Sequence, residues 1–365
     1  MNKAFRFRIY PNEEQKIIFA KTFGCTRFIY NKMLSDKINY YKQNKQRLNN
    51  TPAQYKTEFE WLKEVDSLAL ANAQMNLQKA FTNFFTNPKS GFPKFKSKHK
   101  SRKNYTTNNQ KGSITLENGY LKLPKIVDLI KVKQHRQIPT DYKLKSVTVS
   151  QTPSGKYYAS VLFEYENQVH ERKMQSFLGL DFSMKELYKD SNGNEPCYPR
   201  YYRQAEKHLK REQRKLSLMK KISSNRNKQR IKVAKLHEKV ANQRKDFLHK
   251  QSRQIANAYD CVCIENLDMK AMSQSLNFGK SILDNGWGMF TEFLQYKLEE
   301  KGKKLVKVDK FFASSQICSV CGYKNSETKN LSIRAWNCPE CRTYHDRDIN
   351  AAINIRNEGM RLVFA

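Results

Sequence analysis

The chain has 365 residues, with 68 Lys and Arg against 34 Asp and Glu, and a formal net charge of +34. Solubility needs far less charge than this, so the excess indicates an anionic partner. We predict a nucleic acid rather than an anionic membrane, because no apolar run is long enough to span a bilayer and no apolar signal segment precedes the charged start.

The first predicted elements are one strand and two helical regions. The stretch KAFRFRIY alternates apolar residues with Arg, which predicts a strand with one buried face. A long helix should follow, broken or bent near Gly24, and then a second helical region from about residue 52 to 85. The apolar residues of that second region predict its core stripe, namely Leu68, Ala71, Met75, Leu77, Phe81, Phe84 and Phe85.

A strongly basic segment comes next. Residues 89 to 103 contain seven Lys or Arg and no acid, and aromatic residues are interleaved with them. This mixture suits a track for phosphates with surfaces for base stacking, and the alternative is a disordered basic linker. Two hairpins should follow, with turns at Asn118–Gly119 and at residues 153–155. Residues 1 to about 172 therefore read as a β-module interrupted by a helical insert.

The second half reads as an α/β layer. An apolar strand, FLGLDF, carries Asp181, and residues 190–193 are predicted to turn the chain back as a hairpin. Residues 200 to 250 hold 18 Lys or Arg against 4 acids, and their two apolar seams, separated by residues 223–225, predict a basic helical hairpin. The first seam includes Ile222. The strand DCVCIEN, a helix from Trp287, the strand KKLVKV and a final helix complete the predicted order.

Four of the eight cysteines predict a metal site. Cys318 and Cys321, then Cys338 and Cys341, form two C-x2-C pairs with 16 residues between them, which is typical of one structural Zn²⁺ held by four thiolates. Disulfides are the alternative. The paired spacing and the absence of a secretory signal argue against disulfides. Free thiols in turn predict a reducing compartment, most simply a cytoplasm.

Three acids predict a second metal site. Asp181, Glu265 and Asp348 each lie at or near the end of an apolar element, where carboxylates from separated segments can converge. Three carboxylates suit Mg²⁺ or Mn²⁺, and two such ions about 3.5 to 4 Å apart can drive phosphodiester hydrolysis. Taken singly, each acid is better explained as a strand-end cap or an ion-pair partner than as a catalytic group. A glycosidase pair is disfavoured because a protein of this charge has no evident use for it on a neutral sugar.

The order of these motifs resembles the TnpB proteins, transposon-encoded relatives of type V CRISPR effectors. The resemblance rests on GLDFSMKEL, CIENLDM, the CSVCG and CPEC knuckles, and HDRDINAAINI. Further matches lie in FRIYPNEEQ, GFPKFK, HEKVANQRKDFLHK and the WGMF helix, so they cover nearly the whole chain.

The resemblance implies a fold. We expect a wedge-like β-barrel at residues 1–172 with a helical recognition insert at about 12–95. An RNase H-like (RuvC-like) nuclease domain at 173–365 should contain the basic hairpin at 203–250 and a zinc ribbon at 314–344.

The resemblance also implies the activity and the residues that carry it. Family members are RNA-guided endonucleases that use a guide RNA from the transposon end to cut double-stranded DNA beside a short flanking motif, with Mg²⁺. Metal-binding catalytic roles fall on Asp181, Glu265 and Asp348, whereas Asp346 does not match the motif acid. By position, Ser67, Leu68, Ala71, Thr107 and Asn108 correspond to readers of the flanking motif, but Leu68 and Ala71 offer no hydrogen-bonding side chains. The predicted nucleic-acid contacts are Ser67, Asn72, Lys94, Lys96, Lys98, Arg102, Lys103, Tyr105, Thr107 and Asn108.

Other functions remain as alternatives. A nuclease-inactive RNA-guided DNA-binding repressor is disfavoured because all three acids are present. A transposition accessory factor is disfavoured because the zinc motif lies inside the acid constellation. A strand-joining transposase would need paired histidines, and the seven histidines are scattered. We expect a monomer in a ribonucleoprotein, located in the cytoplasm and on the nucleoid when bound to its target.

Overall fold

The structure is a computed structural model that describes residues 1–166, 169, 170, 172–275, 279–330 and 332–365. It divides into two compact units, Met1–Asn167 and Gln168–Ala365. Each unit has its own hydrophobic core. Within the described ranges, no helix is both long enough and apolar enough to cross a membrane.

The first unit is built on a seven-stranded antiparallel sheet. Its strands are β1 (Asn2–Tyr10), β2 (Lys103–Asn108), β3 (Thr115–Glu117), β4 (Tyr120–Lys122), β5 (Ile130–Lys133), β6 (Lys143–Gln151) and β7 (Tyr157–Glu164). They follow the order β2-β6-β7-β1-β5-β4-β3. The order is linear, with β2 and β3 at its edges, so the hydrogen bonds of the described strands form a sheet without closing the expected barrel. Both predicted hairpins are confirmed, because β3 pairs with β4 and β6 pairs with β7.

The alternation in β1 has the predicted consequence. Phe5, Phe7 and Ile9 are buried, and they pack with residues of β6 and β7 in the core of the sheet. This core includes apolar side chains of the first helix, such as Phe19, so the sheet is covered on one face by helix.

The helices of this unit are α1 (Glu13–Asn44), α2 (Tyr55–Glu58), a 3₁₀ helix (Glu60–Glu64) and α3 (Ser67–Thr86). A capping box begins α1, in which Asn12 Oδ1 accepts from the Gln15 backbone N–H at 2.8 Å and Gln15 Oε1 accepts from the Asn12 backbone N–H at 3.1 Å. The predicted break at Gly24 is wrong. One glycine costs a helix only about 1 kcal/mol, and buried neighbours on both sides offset this cost.

The core stripe predicted for α3 is also wrong for most of its members. Met75 and Phe85 are 62% and 66% exposed. The buried residues are Ala69, Leu70, Ala73 and Leu77, and the last three pack with α1 side chains. Apolar residues occur around much of α3, so the packing against α1 decides which of them are buried.

The second unit is built on a four-stranded sheet in the order β11-β10-β8-β9. Its strands are β8 (Phe177–Ser183), β9 (Leu187–Asp190), β10 (Cys261–Glu265) and β11 (Lys304–Val308). β8, β10 and β11 are parallel, and β9 is antiparallel to β8. A separate two-stranded ribbon consists of β12 (Ala335–Asn337) and β13 (Tyr344–Asp346).

The hairpin turn predicted at residues 190–193 lies elsewhere. The chain reverses at residues 184–186, between β8 and β9. Residues 190–193 form a second turn after β9, in which Asp190 Oδ1 accepts from the backbone N–H groups of Asn192 and Asn194 at 2.9 and 2.8 Å. The Asp-Ser-Asn-Gly signal therefore marks a real turn, but it is an Asx turn that ends a hairpin instead of closing one.

The helices of this unit are α4 (Tyr201–Leu218), α5 (Ser224–Ala258), α6 (Met269–Ser275), α7 (Gly279–Asn285), α8 (Trp287–Glu299), a 3₁₀ helix (Ser326–Lys329) and α9 (Arg347–Phe364). The predicted basic hairpin is formed by α4 and α5. Ile222 lies in the loop between them and is 96% exposed, so its place in an apolar seam was wrong. The short helices α6 and α7 were not predicted from the sequence.

Two glycines bring α9 against the sheet. A Cβ atom on Gly179 in β8 would lie 1.9 Å from the carbonyl oxygen of Ala352 in α9. A Cβ atom on Gly359 in α9 would lie 2.2 Å from Cys263 Sγ in β10. Because neither position carries a side chain, the backbone of α9 lies close to the backbone of β8 at Gly179 and to the Cys263 side chain of β10 at Gly359. These contacts set the position of the first turn of α9.

Candidate active site and metal centre

The three predicted acids come from neighbouring elements of the second unit. Asp181 is in β8, Glu265 ends β10, and Asp348 lies in the first turn of α9. Leu180 pairs with Ile264, so the next residues, Asp181 and Glu265, lie at the same level of adjacent parallel strands. Side chains alternate along a strand, so both acids share the sheet face on which α9 packs.

The electrostatics show that these carboxyl groups interact. Burial raises the pKa of Asp181 well above its usual value, and repulsion from Glu265 and Asp348 raises it further. The positive charge of Arg347 acts in the opposite direction on the pKa of Asp181. Burial also raises the pKa of Glu265, and a hydrogen bond from Ser314 opposes that rise. Like charges gathered in a buried place are costly unless a cation neutralises them.

Asp346 and Asp348 have different roles in starting α9. Asp346 is the N-cap, and its Oδ1 accepts from the backbone N–H groups of Asp348 and Ile349, both at 3.0 Å. The cap of α9 is therefore the side chain of Asp346 and not that of Asp348. Asp348 lies close enough to Asp181 to raise the pKa of Asp181. Its Oδ2 is 3.6 Å from Arg334 Nη1. The capping bonds thus distinguish the structural positions of two acids that are near in sequence.

The acid donor set fits divalent cations. Its ligands are hard carboxylate oxygens, and a cation would relieve the repulsion that raises the pKa of Asp181. Among the described residues, only the four cysteines form a group of three or more metal-binding side chains whose ligand atoms all lie within 4.8 Å of one another. The ligand atoms of the three acids are therefore farther apart than those of a tight single-ion site. A wider arrangement is compatible with a site for two ions about 3.5 to 4 Å apart.

The four predicted cysteines form one compact cluster. Cys318 Sγ is 3.6 Å from Cys341 Sγ, and Cys321 Sγ is 3.5 Å from Cys338 Sγ. Zn–S bonds of about 2.3 Å give a tetrahedron with edges of about 3.8 Å, so these spacings fit one metal ion such as zinc. Each knuckle closes with the same backbone bonds: Cys318 N donates to Tyr323 O at 2.8 Å, and Cys338 N donates to Thr343 O at 2.9 Å.

Two residues near the metal sites were missed by the sequence analysis. His345 is buried beside Trp336, and its Nε2 lies 3.1 Å from Cys318 Sγ. Ser314 Oγ donates a hydrogen bond to Glu265 Oε1. The only signal for His345 was its position four residues after the last cysteine, and Ser314 gave no signal at all, because its contact joins segments 49 residues apart.

Half of the predicted nucleic-acid contacts line one groove in the first unit. This groove has a volume of about 460 Å³ and lies between α1, α3 and β2. The predicted residues that line it are Asn72, Lys96, Arg102, Lys103 and Tyr105. Its other polar residues, which were not predicted, include Arg27, Asn76, Asn104 and Thr106. Lys96 is held at its edge, with Nζ 3.8 Å from the centre of the Tyr30 ring.

The remaining predicted contacts have mixed positions. Lys94, Lys98 and Ser67 are exposed, and Ser67 Oγ accepts from Lys56 Nζ at 2.7 Å. Asn108 is half-buried.

Two of the predicted nucleic-acid contacts face the interior. Tyr105 packs against Phe19 and Phe23, and Thr107 is 1% exposed, where its hydroxyl donates to Asp66. Thr107 is therefore not at the surface, and Tyr105, although it lines the groove, is only 6% exposed. Residues of a strand alternate between faces, so the side chains of β2 that face outward are those of Asn104, Thr106 and Asn108.

Domain families match three parts of the chain. Residues 1–46 match a family described as a helix-turn-helix domain, residues 160–276 one described as a probable transposase, and residues 287–355 one described as a Cas12f1-like TNB domain. In the structure, residues 1–46 form β1 and one long helix, α1.

A solved structure shares the fold. A chain in the cryo-EM structure of the Cas12f1-sgRNA-target DNA complex has a TM-score of 0.63 to this protein, with 15% identity, and the match covers 98% of this chain and 99% of that one. The likeness shows a mixed α/β fold.

Two curated relatives match almost the entire chain. A "Putative RNA-guided DNA endonuclease" of Streptomyces pristinaespiralis is 32% identical over 99% of this chain and 90% of its own length. The "Putative RNA-guided DNA endonuclease InsQ" of Escherichia coli K12 is 30% identical over 98% of this chain and 92% of its own. At this identity and coverage, the chain belongs to the TnpB family of putative RNA-guided DNA endonucleases.

Proposed function

We propose that this protein is an RNA-guided endonuclease that hydrolyses phosphodiester bonds in double-stranded DNA next to a short flanking motif. One observation carries the proposal. Asp181, Glu265 and Asp348 come from three separated segments, and in the second unit they are close enough to raise the pKa of Asp181. A half-buried group of acids is costly by itself, and it is useful when it holds cations on a phosphate.

The fold of the second unit supports an RNase H-like (RuvC-like) nuclease domain at residues 173–365. Three parallel strands with one antiparallel edge strand form its sheet, and α9 packs on the face that carries the acids. Within this domain, we assign the cysteine cluster to a zinc ribbon at 314–344 and the basic hairpin at 203–250 to contact with nucleic acid.

The first unit would act as a wedge-like module with a recognition insert at about residues 12–95. Its groove between α1, α3 and β2 is lined by Asn, Lys and Arg side chains, which are suited to base edges and phosphates. In this proposal the groove reads the flanking motif. The guide RNA would come from the transposon end, and one chain would suffice for the ribonucleoprotein, located in the cytoplasm and on the nucleoid when bound to its target.

The chain's own residues would do four things in the reaction. Asp181, Glu265 and Asp348 would hold Mg²⁺ or Mn²⁺, and the positive charge of the ions would oppose the rise in the pKa values of Asp181 and Glu265. Asp346 would hold the first turn of α9 so that Asp348 points at the site. When bound, the ions supply activation of the attacking water and stabilisation of the leaving oxygen. Lys and Arg of the basic hairpin would hold the nucleic-acid backbone.

A programmed cleavage assay tests this function. The chain is expressed with its native downstream locus, the copurifying RNA is sequenced, and the complex is incubated in Mg²⁺ with matching plasmid DNA that carries a randomised flank. We expect linearisation restricted to certain flanks. Asp181→Ala should abolish cutting and keep RNA and DNA binding, because it removes a metal ligand and leaves the basic surfaces intact.

Asp346→Asn is the matched control. Asparagine also caps helices, so this variant should cut like the wild-type protein. Specific binding without cutting by the wild-type complex would favour the repressor. Unchanged cutting by Asp181→Ala would exclude Asp181 from the site.

A further inference from the structure

The segment that leads into the first zinc knuckle makes a contact with the acid site that the proposed mechanism does not use. Ser314 is buried, and its hydroxyl donates a hydrogen bond to Glu265 Oε1. Glu265 is a proposed metal ligand, and the hydrogen bond from Ser314 involves only one of its two carboxylate oxygens. A hydrogen bond to one oxygen restricts the orientation of the carboxylate. Residues that bond to metal ligands usually orient them in this way.

The backbone of Ser314 is itself held by α9. Asn354 Nδ2 donates to the carbonyl oxygens of Ser314 and Ile317, at 2.8 and 2.6 Å. Asn350 Nδ2 also donates to Ile317 O, at 2.7 Å, and Asn350 Oδ1 accepts from the Ser319 backbone N–H at 2.9 Å. The two asparagines are four residues apart, so they lie on one face of the helix, and both are buried.

These bonds join the two metal sites. The helix that carries Asp348 in its first turn fastens the segment from Ser314 to Ser319, and that segment holds Glu265 at one end and provides Cys318 near the other. Asn350 is bonded through both its amide nitrogen and its amide oxygen, and Asn354 donates to two carbonyl groups, so these buried amides leave little freedom for the segment. Movement of the first knuckle would therefore change the position of Ser314.

We propose that Ser314 is a positioning residue for Glu265, and that Asn350 and Asn354 set its position by fastening the segment 314–319 to α9. The first zinc knuckle then influences the position of Glu265 indirectly, because it anchors the end of the segment 314–319 that is farther from Ser314. The inference rests on the proposed function, since it takes Glu265 as a ligand of a divalent cation.

The test compares Ser314→Ala with Ser314→Thr and with Ser319→Ala. Thr keeps the hydroxyl, so it should restore the behaviour of the wild-type protein. Ser319 contacts α9 through its backbone N–H, so its substitution by Ala should change nothing and serves as the matched control. Asn354→Ala tests the second step of the proposal, with the exposed Asn357→Ala on the same helix as its control.

Two readouts are needed, and one of them requires no DNA. The first is the rise in unfolding temperature of the purified protein as Mg²⁺ is added, together with its zinc content. The second is the Mg²⁺ concentration for half-maximal cleavage by the guided complex. We expect Ser314→Ala and Asn354→Ala to keep one equivalent of zinc and to need about tenfold more Mg²⁺ in both measurements. Ser314→Thr, Ser319→Ala and Asn357→Ala should follow the wild-type curve.

The outcomes separate this inference from the proposed function. An unchanged Mg²⁺ dependence in Ser314→Ala overturns the positioning role. Loss of zinc by Ser314→Ala also overturns it, because Ser314 would then be a structural part of the knuckle. If the wild-type protein responds to Mg²⁺ in the thermal measurement but cuts no DNA under any guide, the proposed function fails while the role of Ser314 is still decided by the thermal data.

Discussion

Asp181 has a carboxyl group that burial and two neighbouring acids keep protonated to a higher pH than usual. In the unfolded chain this proton is lost near pH 4, at about 3.9. Between that pH and the higher pKa of the folded state, the unfolded chain gains stability from ionisation and the folded chain does not. The free energy of unfolding of the protein without Mg²⁺ therefore falls as the pH rises through this interval.

We predict that Asp181→Asn stabilises the protein in the absence of Mg²⁺ at neutral pH. The substitution removes the repulsion between the acids, so the free energy of unfolding should rise, by about 0.5 to 2 kcal/mol as for other single stabilising substitutions. The same variant should lose most of the stabilisation that Mg²⁺ provides to the wild-type protein. Thermal unfolding with and without Mg²⁺ measures both effects, in buffer without a chelator so that the cysteine cluster keeps its metal.

The pH profile supplies the control for this prediction. The stability difference between Asp181→Asn and the wild-type protein should be small below pH 4 and should grow toward neutral pH. A difference of the same size at all pH values would show that it does not arise from ionisation of Asp181.

At the scale of elements, α9 depends on a close approach to the sheet. Gly179 leaves the space that the backbone of α9 occupies at Ala352, and Gly359 of α9 leaves the space that the Cys263 side chain of β10 occupies. Since Asp348 is in the first turn of α9 and Asp181 is two residues after Gly179, this packing sets the distance between the two acids.

We predict that Gly179→Ala destabilises the second unit by at least about 2 kcal/mol, because the new Cβ would lie 1.9 Å from a carbonyl oxygen and α9 must move away. The displacement should also raise the Mg²⁺ concentration needed for cleavage. The control is Gly288→Ala in α8, where a Cβ has no atom within 4 Å. It should be neutral or stabilising by up to about 1 kcal/mol. Equal stabilities for the two variants in chemical denaturation would contradict this account of α9.

The basic hairpin of α4 and α5 is joined by a buried acid. Glu212 in α4 is almost entirely covered, and its Oε2 accepts from Gln229 Nε2 at 2.8 Å and from Lys232 Nζ at 3.0 Å. The hydrogen bond from Gln229 and then that from Lys232 lower the pKa of Glu212 to about 2. The folded-state pKa is thus below the unfolded one, so the stabilisation is present above about pH 4.3 and is lost as the pH falls toward 2.

We predict that Glu212→Gln loosens the hairpin at neutral pH, because the side chain loses the charge that pairs with Lys232 and Lys215. Hydrogen exchange should become faster in α4 and in the first turns of α5. Asp246→Asn is the control, since its pair with Lys250 is solvent-exposed and contributes little. Exchange that is faster in both variants, or in neither, would remove the special role of Glu212.

At the scale of the whole molecule, the chain combines two separately cored units with a net charge of +34. The β12–β13 ribbon and its neighbouring loops bury few apolar side chains, and their small cluster consists of Trp336 and cysteines with partly buried neighbours. A segment with so small a core depends on its metal for folding. In the proposed function the charge and the metal would have different roles: the charge would bind a polyanion, and the metal would hold the fold around the acids.

We predict that Cys338→Ser loses the bound zinc and destabilises the second unit, while the first unit keeps its stability. Zinc content per chain and hydrogen exchange in the two units measure this. Cys197→Ser is the control, because Cys197 is exposed and lies outside the cluster. A full equivalent of zinc in Cys338→Ser would exclude this residue as a ligand.

The local properties of the sequence determined several features without the fold. Strand alternation in β1, the turn signal at Asn118–Gly119, and the four-cysteine spacing all depend on near neighbours in the chain, and the structure confirms the two hairpins and the cysteine cluster. The three acids were also found from local patterns, since each lies near the end of an apolar element. Their catalytic role stays a prediction.

Only the tertiary structure decided which faces are buried and which distant residues meet. The buried face of α3 and the interior position of Thr107 depend on partners far along the chain. Ser314 reaches Glu265 only because α9 packs on the sheet and holds the segment before the first knuckle. Sequence patterns report the periodicity of one element, whereas burial and long-range hydrogen bonds are properties of the pair of elements that pack together.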